Sequence, residues 1–247
     1  MRNAIWVLVL ATACARPAAP NTPAPATAPV QRGDSTLAVP NSIHWLRNSV
    51  EYRALALQVF RQATEQVTRQ AAGLPRGSWA VILDADETAL DNSEYQRRNA
   101  VRGTSFNAAT WYAWVREQAA PPVPGAPEFT QAVRRLGGRI AIVTGRDQVV
   151  CPETEANLRA AGIAADVVLC RADPANSDKN PRFRAVAEGT TPAGLPPLRV
   201  IAWLGDNILD FPGLDQQAGP AALEPFGTRY FMLPNPMYGS WERLPRR

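Results

Sequence analysis

Histidine is almost missing from this chain: His44 is the only one in 247 residues. One imidazole cannot build a two-histidine zinc site such as H-E-x-x-H. A Ser-His-Asp triad would have to use His44 itself, which stands beside a proline-rich linker and not in a turn that looks like a site. Lysine is as scarce, with Lys179 alone among 26 basic residues. The arginines are scattered, no basic stripe forms, and the net charge is only +4, which argues against a reader of nucleic-acid polymers. Charged residues make up only 19% against 46% hydrophobic, so wholesale disorder is excluded. Any hydrolytic chemistry must therefore rest on carboxylates, with a hard metal ion to offset their charge.

What is present begins with a targeting segment. Arg2 is followed by an apolar stretch, Ala4 to Ala13, about half the length of a membrane span. It ends Ala11-Thr12-Ala13-Cys14, which resembles the bacterial lipoprotein signal. The expectation is that residues 1–13 are removed and Cys14 carries the lipid. The alternative is an ordinary secretory signal cleaved near the same place. Residues 14–41 then read as a tether, with six prolines among alanine and threonine between Arg16 and Pro40. The implied location is the bacterial cell envelope, an outer-membrane lipoprotein facing the periplasm or the surface. Outside the cytoplasm Cys151 and Cys170 can pair; they read equally well as two small buried hydrophobes.

Residues 42–247 read as an α/β domain. Ser49 to Ala72 has helical apolar spacing at Val50, Ala54, Leu57, Phe60, Ala63 and Val67. Short apolar runs predict strands at Trp79–Leu83, Arg139–Val143, Val167–Leu169, Val200–Leu204 and Arg229–Met232. Helices are expected near Pro127–Leu136, Glu153–Ala161, Pro181–Glu188 and within Ile208–Gln217. This alternation means a parallel sheet with helices on both faces, whose ligands bind at the carboxyl ends of the strands.

Chemistry gathers at those ends. The first strand runs into Asp84-Ala85-Asp86-Glu87-Thr88, two carboxylates whose mutual repulsion calls for a cation. The second ends Thr144-Gly145-Arg146, a hydroxyl and open backbone N–H groups suited to an anion. Lys179 stands just before a helix start, a compact point charge where arginine is used elsewhere. The fourth strand ends Gly205-Asp206-Asn207, with Asp210 shortly after, and this acidic pair suits Mg²⁺. Alone, each reads as a turn residue, a cap or a surface charge. All four in this order point to one site.

These residues resemble the haloacid dehalogenase (HAD) superfamily: Asp-x-Asp-x-Thr, a Thr or Ser after the second strand, a Lys and a late acidic pair. Within it the chain looks like the class C acid phosphatase family, also called the 5′-nucleotidase lipoprotein e(P4) family. The closer match lies in ILDADETALDNSEY, Trp111-Tyr112-Ala113-Trp114-Val115, GDNILDF and LPNPMYGSWE. It departs at Gly145, where this family often has Asn, and at Pro181. The resemblance implies a HAD-like Rossmannoid sheet with a small, mainly helical cap inserted at about 89–126. It implies that Asp84 attacks phosphorus to form an aspartyl-phosphate, and that Asp86 serves as acid and then base. Thr144, the Gly145 amide and Lys179 would bind phosphate. Mg²⁺ would be held by Asp84, the Asp86 carbonyl and Asp206, with Asp210 nearby.

By the same resemblance, Trp111 and Tyr238 are candidates to stack on a nucleobase, and the expected substrates are nucleoside 5′-monophosphates, nicotinamide mononucleotide included. Two other readings stand beside this one. The first is a general acid phosphatase or phosphotransferase without nucleotide preference. The second is a non-enzymatic, haem-associated surface lipoprotein. A homodimer stays open.

Overall fold

The computed structural model describes residues 39–246. The signal segment, Cys14 and almost all of the tether lie outside them.

Helix α1 (Asn41–Asn48) leads into α2 (Val50–Ala71). Ser49 separates them with an extended backbone, and its hydroxyl accepts the Tyr52 N–H, an ordinary N-cap. Five strands follow: β1 (Trp79–Leu83), β2 (Arg139–Asp147), β3 (Val167–Arg171), β4 (Arg199–Gly205) and β5 (Tyr230–Met232). Every pairing is parallel, in the order β3-β2-β1-β4-β5.

Strand β1 is buried along its whole length, as a central parallel strand must be. Its side chains alternate between two cores. Val81 and Leu83 join Phe60, Val67, Phe129 and Val133 on one face. Ala80 and Ile82 join Phe183, Val186, Trp203 and Phe211 on the other. So α2 and α5 (Ala126–Leu136) cover the first face and α7 (Asn180–Glu188) the second. Between β1 and α5 the chain forms α3 (Ser93–Arg102) and α4 (Ala108–Glu117), within the span expected to carry the cap. Helix α6 (Cys151–Ala160) follows β2.

Two expectations change. Strand β2 does not stop at Val143. It resumes pairing at Asp147, opposite Arg171, after a break in register, so Thr144 and Gly145 lie inside the strand's course and not in a closing turn. The helix expected within Ile208–Gln217 is a single 3₁₀ turn, Ile208–Asp210. Asp210 Oδ2 accepts the Asn207 N–H and Asn207 accepts the Leu209 N–H, and Pro212 and Gly213 then prevent propagation. The open alternative for the cysteines resolves as a disulfide between Cys151 and Cys170. His44 lies on α1, within hydrogen-bond distance of Asn48.

Candidate active site

The carboxyl ends of β1, β2, β3 and β4 open on a cavity of about 760 Å³. Asp84 directly follows β1, and its N–H donates to Leu204 O, which carries the β1–β4 pairing one residue further. The chain then turns back: the Ala89 and Leu90 N–H groups both donate to Ala85 O, and Glu87 adopts a left-handed φ of 54°. That turn puts Asp84 and Asp86 at the same mouth.

From β4, Gly205 leads to Asp206. A methyl on Gly205 would lie 2.3 Å from Asp210 Cβ, so only glycine lets the 3₁₀ turn fold this close. The result is that carboxylate oxygens of Asp84, Asp206 and Asp210 lie within 4.8 Å of one another. Lys179, at the start of α7, reaches in from the other side. Its Nζ donates to Asp84 Oδ1 at 2.5 Å and to Asp210 Oδ1 at 2.6 Å. Asp206 accepts from Asn235 Nδ2 at 2.8 Å and from the Thr88 hydroxyl at 3.4 Å.

Asp86 has different neighbours. Its Oδ1 accepts from Arg146 Nε at 2.9 Å and from Asn92 Nδ2 at 2.8 Å. Arg146 is buried, and it also donates to Asn92 Oδ1 and the Thr154 hydroxyl. The Thr144 side chain is buried and its hydroxyl accepts the Arg146 N–H at 3.1 Å, so Thr144 shapes the break in β2 that presents Gly145 to the cavity.

The electrostatics are lopsided. Burial pushes the Asp84 carboxyl up to about 7, against the pull of Lys179. Burial, then Asp210 and Asp84, hold Asp206 well above the usual carboxylate range. Glu87 is raised as well, by burial and by Asp86 and Asp206. Burial opposes the charge on Lys179, but Asp210 and Asp84 outweigh it and keep the ammonium protonated above its ordinary range. One lysine cannot neutralise three converging carboxylates. A hard divalent cation with oxygen ligands fits this donor set.

The aromatic candidates separate. Trp111 is half-buried on α4 and lines the cavity, edge-on to Tyr95 with ring centroids 5.0 Å apart, and the Arg146 guanidinium lies 5.4 Å from its ring centroid. Trp114 is buried, and its indole N–H donates to Asn92 Oδ1. Tyr238 also lines the cavity, and its hydroxyl donates to the buried Glu87 carboxylate. Glu87, Asn92, Arg146 and Asn235 were not singled out from sequence. For Arg146 a signal existed, since it ends the Thr144-Gly145-Arg146 run.

Relatives carry the same arrangement of elements. Two solved structures of a class C acid phosphatase from Bacillus anthracis, one with tungstate bound, superpose with a TM-score of 0.73 at 27% identity, covering 82% of this chain and 85% of theirs. A stem 31 kDa glycoprotein of Glycine max is 29% identical over 159 residues. Acid phosphatase 1 of Solanum lycopersicum is 28% identical over 163 residues. The chain spans only about 58% of the length of these curated plant relatives. The family description that matches, over residues 13–241, is the acid phosphatase group of the HAD superfamily. That match takes in every strand and all four acidic positions at the strand ends, and the chain therefore belongs to HAD subfamily IIIB, the acid phosphatases.

Proposed function

We propose that the protein is a Mg²⁺-dependent acid phosphatase that hydrolyses phosphomonoesters through an aspartyl-phosphate, with nucleoside 5′-monophosphates, nicotinamide mononucleotide included, as its preferred substrates. The observation that carries this reading is the pairing of two aspartates in opposite surroundings at one strand end. Asp84 is clasped by Lys179 within the acidic cluster, and Asp86 is held apart by Arg146 and Asn92.

In the first step an Asp84 oxygen attacks phosphorus, the ester P–O bond breaks, and Asp86 donates a proton to the departing alkoxide. In the second, Asp86 takes a proton from water, which attacks the aspartyl-phosphate and releases inorganic phosphate and free Asp84. Lys179 and the Gly145 amide bind the non-bridging oxygens, and Thr144 fixes the backbone that presents that amide. Mg²⁺, held by Asp84, Asp206, Asp210 and the Asp86 carbonyl, would offset carboxylate–phosphate repulsion and screen the charge of the transferred group. Trp111 and Tyr238, which both line the cavity, supply aromatic rings for a flat leaving group to stack on, and stacking tolerates any base.

The non-enzymatic, haem-associated reading loses support, because the chain belongs to an acid phosphatase family. Export with a lipid on Cys14 remains part of the proposal, and the Cys151–Cys170 disulfide supports an oxidising compartment.

The deciding assay is phosphate release from p-nitrophenyl phosphate, several nucleoside monophosphates and glycerol phosphate, with EDTA and after Mg²⁺ is restored. Activity abolished by chelation, restored by Mg²⁺ and highest on nucleotides is the expected result. Equal rates on nucleotides and glycerol phosphate would leave a general phosphatase. Full activity after chelation would remove the metal.

A further inference from the structure

Three cations line the cavity, and the reaction above leaves one of them unused. Lys179 spends its ammonium on Asp84 and Asp210. Arg146 spends all three guanidinium nitrogens, on Asp86, Thr154 and Asn92. Arg171 is different. Its Nε donates to Asp147 Oδ1 at 2.7 Å, and neither terminal nitrogen has a hydrogen-bond partner among the described residues. Its side chain stays 25% exposed, on the wall of the same cavity.

Asp147 is itself fixed, because its second oxygen accepts the Tyr112 hydroxyl at 2.6 Å. The Tyr112–Asp147–Arg171 chain therefore holds the guanidinium by one edge and leaves its two terminal NH₂ groups free. Such a fork suits a carboxylate or phosphate.

Position sets the distance. Arg171 ends β3, and Asp84 follows β1 two strands away in the order β3-β2-β1. Adjacent strands lie about 4.8 Å apart, and Arg171 stands two residues (about 3.3 Å each) beyond Leu169, the residue level with Asp84, so the two backbone positions are about 12 Å apart.

We propose that Arg171 is a specificity-determining residue that binds a second anionic group, carboxylate or phosphate, at the far end of the leaving group. The substrate class is an elongated phosphomonoester with a distal anion. This inference rests on the phosphatase reading of the site and departs from its nucleotide preference, because a nucleoside 5′-monophosphate carries no second anion beyond the base.

The test compares two open-chain six-carbon monophosphates on the full-length protein with Mg²⁺. 6-Phosphogluconate carries a terminal carboxylate where sorbitol 6-phosphate carries a hydroxymethyl group. Wild type is expected to favour 6-phosphogluconate in kcat/KM by about tenfold or more, the scale of a charge-assisted bond. Arg171→Gln should bring the ratio close to one, mainly through KM, and Arg171→Lys should retain part of the preference, with melting temperatures confirming folded protein. A wild-type ratio near one, or a ratio unchanged by Arg171→Gln, would overturn the proposal. Failure of the wild type on both compounds and on p-nitrophenyl phosphate would instead overturn the phosphatase reading, and this one with it.

Discussion

Carboxylates occupy two opposite environments in this molecule. At the strand ends, Asp84 is buried and Asp206 half-buried among other acids, and desolvation holds both above the usual range. On α3, Glu94 stands among Arg47, Arg97 and Arg98, whose hydrogen bonds and charges outweigh its partial burial and bring it down to about 2. The first arrangement costs folding free energy and the second supplies it. A fold that keeps costly charges at the carboxyl ends of a parallel sheet, with cheap ion pairs close by, has placed its strain where ligands bind. Variants at the two sites should therefore differ in sign for stability as well as in size for activity.

The largest effect belongs to Asp84. Asp84→Asn preserves the shape of the β1 end and removes the attacking charge. We expect kcat on p-nitrophenyl phosphate to fall at least about a thousandfold. Residual activity within tenfold of wild type would refute the covalent route.

The aromatic wall comes second. Trp111→Ala and Tyr238→Ala should each lower kcat/KM on a nucleoside monophosphate by roughly 5- to 150-fold, the value of one stacked base. Glycerol phosphate should suffer far less, and KM should move more than kcat. Equal losses on both substrates would mean these rings serve packing only. Tyr238→Phe separates the two roles further, because it keeps the ring and removes the hydroxyl bonded to Glu87.

Why some of this was legible in the sequence and some not follows from the physics of each residue. The sheet could be read because its strands are apolar runs separated by helical periods, and β1 lies where Trp79–Leu83 places it. Asp84, Asp86, Asp206 and Asp210 could be picked out because strand ends are where such sheets bind ligands, and Lys179 because it is the sole lysine. Arg146 was hidden by the same composition, since arginine is everywhere and its burial against Asp86 depends on a tertiary approach. The Asp147–Arg171 pair needed β2 to resume after Thr144-Gly145, a register break that no local pattern announces. Glu87 sits inside the recognised motif, but its partner Tyr238 is 151 residues away. The helix expected within Ile208–Gln217 failed because Asn207 and Asp210 satisfy the backbone locally, which is the usual way short polar side chains compete with a helix.

A smaller effect, on stability, is expected at Asp206, beside the loss of rate that follows from removing a metal ligand. A carboxylate raised by burial binds protons more readily folded than unfolded, so the metal-free protein should lose stability as pH rises above the unfolded value. Asp206→Asn removes that cost. Without metal, its melting temperature at neutral pH should rise above wild type, and the further rise that Mg²⁺ gives wild type should shrink or vanish. A variant that melts lower and still responds fully to Mg²⁺ would contradict the cluster's role. Thermal scans with and without EDTA decide the matter.

The smallest effect, and the one with the opposite sign, is at Glu94. Its side chain is a quarter exposed and its arginine partners are 30–40% exposed, so solvent screening discounts each pair heavily. Glu94→Gln should therefore cost about 1 kcal/mol or less, a few degrees of melting temperature at most. The folded pKa lies below the unfolded one, so this contribution is fully present above about 4.5 and fades as pH falls toward about 2. The difference between variant and wild type should then narrow over that window, and it should also narrow with added salt at neutral pH. Activity on p-nitrophenyl phosphate should stay at the wild-type level, since Glu94 ties α3 to α1 through Arg47 and does not line the cavity. A loss that persists unchanged from pH 6 to pH 2, or in high salt, would mean that Glu94 contributes through packing and not charge, and the contrast with the strand-end aspartates would fail.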